Sequence, residues 1–156
     1  TMKTKRGDRM AFMTLDDRSG RIEIALFADV FSHFREVIAK DKLLIVEGAV
    51  SVDEYSGGYK MSGNKLYDIN QAREQYAKRL TIRLPAEQAA NGFLPELADI
   101  LRPFREGHCP IRVHYAAQGA RARLDFGAEW RIRPTDELLS RLYALAGPDK
   151  VLLEYH

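Results

Sequence analysis

Four cations crowd the front of the chain, Lys3, Lys5, Arg6 and Arg9, against one acid, Asp8, and the run leads into Phe12. Cations neutralise phosphates and release counterions, and a planar ring stacks on a base, so this pairing suits single-stranded nucleic acid. Contacts of that kind weaken steeply with salt and carry little sequence preference. Arg18 and Arg21 flank Ser19-Gly20 and form a second, weaker cationic group, because Asp16 and Asp17 beside them oppose an anion. Tyr55 and Tyr59 bracket Ser56-Gly57-Gly58, with Lys60 following. Those tyrosines are suited to stacking on bases or to pairing across a hairpin. The candidate nucleic-acid site is therefore Lys3, Lys5, Arg6, Arg9, Phe12, Arg18, Arg21, Tyr59 and Lys60.

Other chemistries find less support. Asp16-Asp17 invites a two-metal reading, but adjacent strand residues point to opposite faces. Asp-Asp-x-Ser-Gly is more economically a turn whose side chains bond their own backbone. His33, His108 and His114 lack the spacing of a metal site or a nucleophile–base pair. Cys109 is the lone cysteine, with no disulfide partner, and SGGYK lacks the spacing of a phosphate loop. No catalytic residue, cofactor or metal is expected. In the second half Arg121, Arg123, Arg131 and Arg133 alternate as if along neighbouring strands, a basic stripe for a protein partner or a solvated sheet face. Trp130 and Tyr155 are candidate anchors, since interface energy concentrates in aromatic and arginine residues.

Alternation sets the elements that must carry these residues. Ala11, Met13 and Leu15 share one face of a strand, with Met10, Phe12 and Thr14 on the other; Ile22, Ile24 and Leu26 oppose Arg21, Glu23 and Ala25 on the next. Val30, Phe31, Phe34, Val37 and Ile38 fall at helical spacing within residues 28–40. A long strand follows with Leu44, Val46, Val50 and Val52 in one register, and Gly48 marks a sharp bend. A hairpin through Gly57-Gly58 returns from Tyr59 to about Ile69. Strand, strand, helix, strand, strand is a five-stranded OB barrel lacking most of its first strand. Thr1 and Met2 read as the tail of that strand, so the chain is expected to be a piece of a longer protein.

Residues 70–79 form a helical connector, and 80–156 a small α+β domain. Its expected parts are a strand Leu80–Leu84, a helix carrying Leu94, Leu97, Leu101 and Phe104, and a hairpin. There Ile111, Val113 and Tyr115 face Ala122, Leu124 and Phe126 across Gln118-Gly119. A short strand with Trp130 and Ile132, a helix capped by Thr135 and ended by Gly147-Pro148, and a last strand Val151–Tyr155 complete it.

The 156 residues carry a net charge of only +2, which excludes a globally basic, tail-driven binder and confines any nucleic-acid site to a local patch. No apolar run reaches the roughly 20 residues of a membrane helix. No secretion signal stands at the front, so a cytoplasmic location without membrane association is expected.

TKRGDRMAFMTLDDRSGRIEIALF, LLIVEGAVSVDEYSGG, DINQAREQYAKRL, HCPIRVHY, ARARLDFGAEWRIRPTDELL and VLLEYH closely resemble the C-terminal region of the alpha subunit of bacterial DNA polymerase III. The resemblance runs through essentially the whole chain. It implies a segment that follows the catalytic palm, fingers and thumb and the clamp-binding segment of a DNA-directed DNA polymerase, a nucleotidyltransferase acting in replication. It also implies an OB domain associated with single-stranded template DNA, a final domain associated with the tau subunit of the clamp loader, and the other holoenzyme subunits as partners. The departure from the family is the mostly missing first OB strand. A rival class is a pure protein-interaction module whose OB domain is a spacer. A synthetase anticodon-binding domain shares the strands but not the downstream domain.

Overall fold

The structure is a computed structural model that describes residues 1–3, 7, 9–39, 42–89 and 92–156, of Lys3 only the backbone. Two compact units divide it, Thr1–Ile69 and Asn70–His156. Lys5 and Arg6 of the expected basic turn, and Lys40 at the end of the expected helix, lie outside the described residues.

The first unit is built on the alternation of its first hairpin. Strand β1 (Met2–Lys3) pairs with β2 (Arg9–Asp16), which pairs antiparallel with β3 (Arg21–Leu26). The register sets Ala11 opposite Leu26, Met13 opposite Ile24 and Leu15 opposite Ile22. Ile24 and Leu26 are fully buried and Leu66 nearly so, with Val30, Phe31, Phe34, Val46 and Met61 packed around them. The side-chain period of 2 thus sends one face into the core and leaves the other to solvent.

The joining loop closes on itself. Asp16 Oδ1 accepts from the Arg18 backbone N–H at 2.8 Å, and Asp17 Oδ1 accepts from the Ser19 hydroxyl at 2.7 Å and from the Ser19 and Gly20 N–H groups, each at 2.9 Å. These bonds to the charged form hold both carboxyls below the usual range. Both aspartates are thus occupied by their own turn.

Helix α1 (Ala28–Phe34) is shorter than the helical spacing predicts. The Phe34 carbonyl accepts from both Val37 N at 2.9 Å and Ile38 N at 3.3 Å, so the chain leaves as a turn while Ile38 still reaches the core. Strands β4 (Ile45–Val52) and β5 (Tyr59–Tyr67) complete a sheet of order β1-β2-β3-β5-β4, with β3 and β5 parallel. This is the strand order of an OB fold; no pairing of β4 with β1 closes it among the described residues. The register shifts between Glu47 and Gly48, where a bend was expected. A Cβ on Gly48 would stand 2.2 Å from the Ser62 carbonyl oxygen, so only glycine lets the two backbones approach. Past this bulge Val50 and Val52 are exposed rather than in register with the core, because a bulge re-aims the strand beyond it.

In the second unit, α2 (Ile69–Tyr76) leads into β6 (Arg79–Pro85); β8 (Ile111–Ala117), β9 (Ala120–Asp125) and β10 (Val151–Glu154) complete a sheet of order β10-β6-β8-β9. The β8–β9 hairpin has the expected register, Val113 opposite Leu124 and Tyr115 opposite Ala122, and Gly119 supplies a φ of +80° at its turn. Helices α4 (Phe93–Leu101) and α5 (Asp136–Ala146) bury Phe93, Leu97, Leu101, Leu138 and Leu142 against Leu80, Ile82 and Val113. Leu94, expected in the apolar stripe, points outward, and Phe104 sits in a 3₁₀ turn beyond α4. Pro103 in that turn cannot donate the next helical hydrogen bond. The short α3 (Ala86–Ala89) and β7 (Arg105–Cys109) were not legible in the sequence.

Trp130 does not lie on a strand. It occupies a 3₁₀ turn, Ala128–Trp130, while Ile132 alone bridges β7 at Arg105 and Cys109 and is fully buried. Burial pushes the Cys109 thiol up to about 11, which leaves it protonated and unreactive. Thr135 caps α5, its Oγ1 accepting from Leu138 N at 3.2 Å. Thr135→Ala is expected to cost the second unit about 1 kcal/mol, read by urea unfolding, with Thr135→Ser retaining most of it. A loss below a few tenths of a kcal/mol would show the cap to be dispensable.

Candidate nucleic-acid interface

On the outer face of the first sheet Phe12 stands directly opposite Ala25, and Phe27 follows Ala25 by two residues on the same face. A cross-strand neighbour lies about 5 Å away and an i+2 neighbour about 7 Å. Two rings therefore flank a methyl-floored gap. Both are roughly half exposed, Phe12 at 46% and Phe27 at 50%, and they line one cavity of about 330 Å³ with Met10, Glu23, Asp53 and Lys60. Phe27 was missed in the sequence because it stands at a strand–helix boundary, where alternation gives no face. The signal available was its place two residues after Ala25.

Electrostatics in this groove run against a simple cationic site. Lys60 Nζ lies 3.1 Å from Asp53 Oδ1, and the β3–β5 register sets the Lys60 backbone opposite the acidic residue Glu23. Arg9 lines a different cavity, of about 700 Å³, with Asp29, Phe31 and Arg35 of the α1 side. Odd and even residues of β2 face opposite ways, so the basic run that leads into Phe12 ends with Arg9 on the other side of the strand from that ring. Arg21 Nε bonds Asp16 Oδ2 at 2.7 Å, and Arg18 occupies the left-handed turn at φ +71°. Both lie at the far end of the hairpin from Phe12. Tyr55 and Tyr59 are exposed at the β4–β5 tip, and Tyr59 pairs with Val52.

That tip is organised by Asp53. Its Oδ2 accepts from Ser56 Oγ at 2.7 Å and from the Ser56 N–H at 3.2 Å. The Ser56 hydroxyl, then the Lys60 ammonium, pull its carboxyl down to about 2. A depressed carboxyl stabilises the tip above the ordinary value of 3.8, and that contribution is lost as the pH falls towards 2. An NMR titration should place the Asp53 midpoint near 2, with the Ser56 amide shifting in step. A midpoint at the ordinary value would contradict the bonding described.

In the second unit Arg121 and Arg123 lie exposed on β9, whereas Arg131 and Arg133 flank the Ile132 bridge outside the four-stranded sheet. The expected four-arginine stripe is therefore not formed. The two β9 arginines are joined across the strands by His114, opposite Arg123, and by Arg83, opposite His114. Trp130 is half-buried, edge to face with Phe126 at 6.1 Å and with Arg105 5.1 Å over its ring. Tyr155 is exposed. Among the described residues no three His, Cys, Asp or Glu side chains gather as a metal site, and no helix is long and apolar enough to cross a membrane.

Strand order and an aromatic-walled outer groove define the first unit as an OB fold of the nucleic-acid-binding type, and residues 1–69 match the family described as "OB-fold nucleic acid binding domain". Residues 96–147 match "DNA polymerase III subunit alpha, C-terminal domain". Over 99% of its length the chain is 46% identical to the DNA polymerase III subunit alpha of Escherichia coli K12 and 44% identical to that of Vibrio cholerae; it spans 13% of each. The Pseudomonas aeruginosa subunit is 40% identical over the same share. The chain is thus homologous to the C-terminal region of DNA polymerase III alpha subunits.

Proposed function

We propose that the first unit holds single-stranded template DNA during bacterial chromosome replication, and that the second binds the tau subunit of the clamp loader. In this reading residues 1–69 are the DNA-binding domain, 70–79 a connector and 80–156 the partner-binding domain. The parent is a cytoplasmic DNA-directed DNA polymerase whose reaction is carried out elsewhere in the subunit, alongside other holoenzyme subunits. The observation that carries the DNA reading is the pair of half-exposed rings, Phe12 and Phe27, on the outer face of an OB sheet. Bases stack on such rings whatever their sequence, and OB folds use this face for oligonucleotides.

The backbone contacts fall to Lys3, Lys5 and Arg6 and, from the α1 side of β2, to Arg9, with Arg18, Arg21, Tyr59 and Lys60 secondary. The test is anisotropy of a labelled oligo(dT) titrated with the chain at low and moderate salt against a duplex control. Wild type should prefer the single strand and weaken with salt. Lys5→Ala/Arg6→Ala/Arg9→Ala should lower affinity and flatten the log–log salt slope by about 2, from three lost phosphate contacts at roughly 0.7 each. An unchanged slope would remove the basic turn from the site.

The spacer reading has its own support: Glu23 and Asp53 line the groove and Lys60 is already paired. Absence of binding at low salt, with tau binding intact, would favour it.

A further inference from the structure

We propose that the free edge of β9 takes an extended segment of a partner protein as an added strand, one that alternates acidic and apolar side chains. The proposal rests on the reading of the second unit as a partner-binding domain and names the surface and the chemistry of the partner. β9 ends the sheet β10-β6-β8-β9, and all six of its residues are exposed. An edge strand leaves a row of backbone N–H and C=O groups open to an incoming strand.

The two faces of that edge differ. One carries Arg121 and Arg123, two residues apart, and behind them His114 and Arg83 on the next two strands. Ala116 and Pro85, in register with Arg121, floor a cavity of about 450 Å³ beside these side chains. The acids of this sheet face are taken at its other end. Asp125 accepts from Arg112 Nε and Nη2 at 2.5 and 2.9 Å, and Glu154 sits 3.4 Å from Arg79. Arg112 holds the Asp125 carboxyl below its usual range; Arg123 adds only its field. Among the described residues no ion pair engages Arg83, Arg121 or Arg123. The other face of β9 exposes Leu124.

An added strand repeats its side chains on one face every two residues, about 7 Å, which is also the spacing of Arg121 and Arg123. Carboxylates at alternate positions would therefore meet both arginines, and the residues between them would cover Leu124. Pairing with a second copy of the same edge would set arginine against arginine. A nucleic acid would use neither Leu124 nor the open backbone.

The probe is a seven-residue peptide alternating Glu and Val, titrated into the 15N-labelled 156-residue chain. Amide shifts should concentrate in residues 120–125. Arg121→Glu/Arg123→Glu should weaken binding more than tenfold, and a peptide alternating Lys and Val should bind that variant but not the wild type, which a misfolded variant could not do. Equal binding of a peptide with the same composition in blocks, displacement by oligo(dT), or no shifts on β9 overturns the proposal. In the last case the arginines serve only to guard the edge. Intact tau separates the two readings. Unchanged tau binding by the charge-reversed variant overturns strand addition and leaves the partner reading standing. Bound peptide without tau binding supports strand addition and removes tau.

Discussion

Gly107→Ala is expected to lower the unfolding midpoint of the second unit by roughly 10 °C or more, at about 4–8 °C per kcal/mol for a unit of this size. A Cβ at this position would lie 2.1 Å from both the carbonyl carbon and oxygen of Ile132 and 2.4 Å from Arg133 N. These are backbone atoms, which cannot rotate away as the end of a side chain can. The segment is pinned on both sides: Ile132 bridges Arg105 and Cys109, and Arg133 N donates to the Phe104 carbonyl at 2.8 Å. Making room means lifting β7 from Ile132, a fully buried side chain, and losing such a residue from a core costs about 2–5 kcal/mol. Thermal melting by circular dichroism, with amide shifts of residues 1–69 as control, reads the effect. A midpoint within two degrees of wild type would mean that the close approach relaxes at little cost.

Phe12→Ala/Phe27→Ala is expected to weaken single-strand binding by roughly fivefold to a hundredfold, since a base stacked in the gap is worth about 1–3 kcal/mol. Both rings are half exposed, so little core is lost and the melting of the first unit should barely move. Because they flank one gap, the double change should fall short of the sum of the single ones. Single-strand affinity within twofold of wild type would remove the groove from the DNA reading, whatever the basic turn does.

Local pattern carried much of this fold into view. The β2–β3 and β8–β9 hairpins, the Gly48 bend and the Thr135 cap each depend on residues within a few positions, where side-chain period, turn chemistry and capping act directly. The self-bonded Asp16-Asp17 turn belongs with them. Homology to the polymerase subunit was legible for the same reason: the motifs that carry it are contiguous runs.

What the tertiary structure alone decided are relations between distant segments. Alternation sets Arg9 and Phe12 on opposite faces of β2, but only the fold shows that Arg9 lines a cavity with α1 while Phe12 faces a groove with Phe27, because that depends on which side of β2 the helix covers. Gly107 reads as an ordinary loop glycine until Ile132 is laid against it. Trp130 alternates with Ile132 as a strand would, yet Trp130 N bonds the Gly127 carbonyl in a 3₁₀ turn and only Ile132 meets β7 as a bridge. Arg121 and Arg123 were visible as charges, but their company was not. Parallel pairing of β6 with β8 brings Arg83 to their face from nearly forty positions away, a contact set by burial of the whole sheet rather than by any local preference. Sequence determined which side chains alternate and where the chain turns; packing determined which of them meet, since long-range pairing is chosen by the core that it buries.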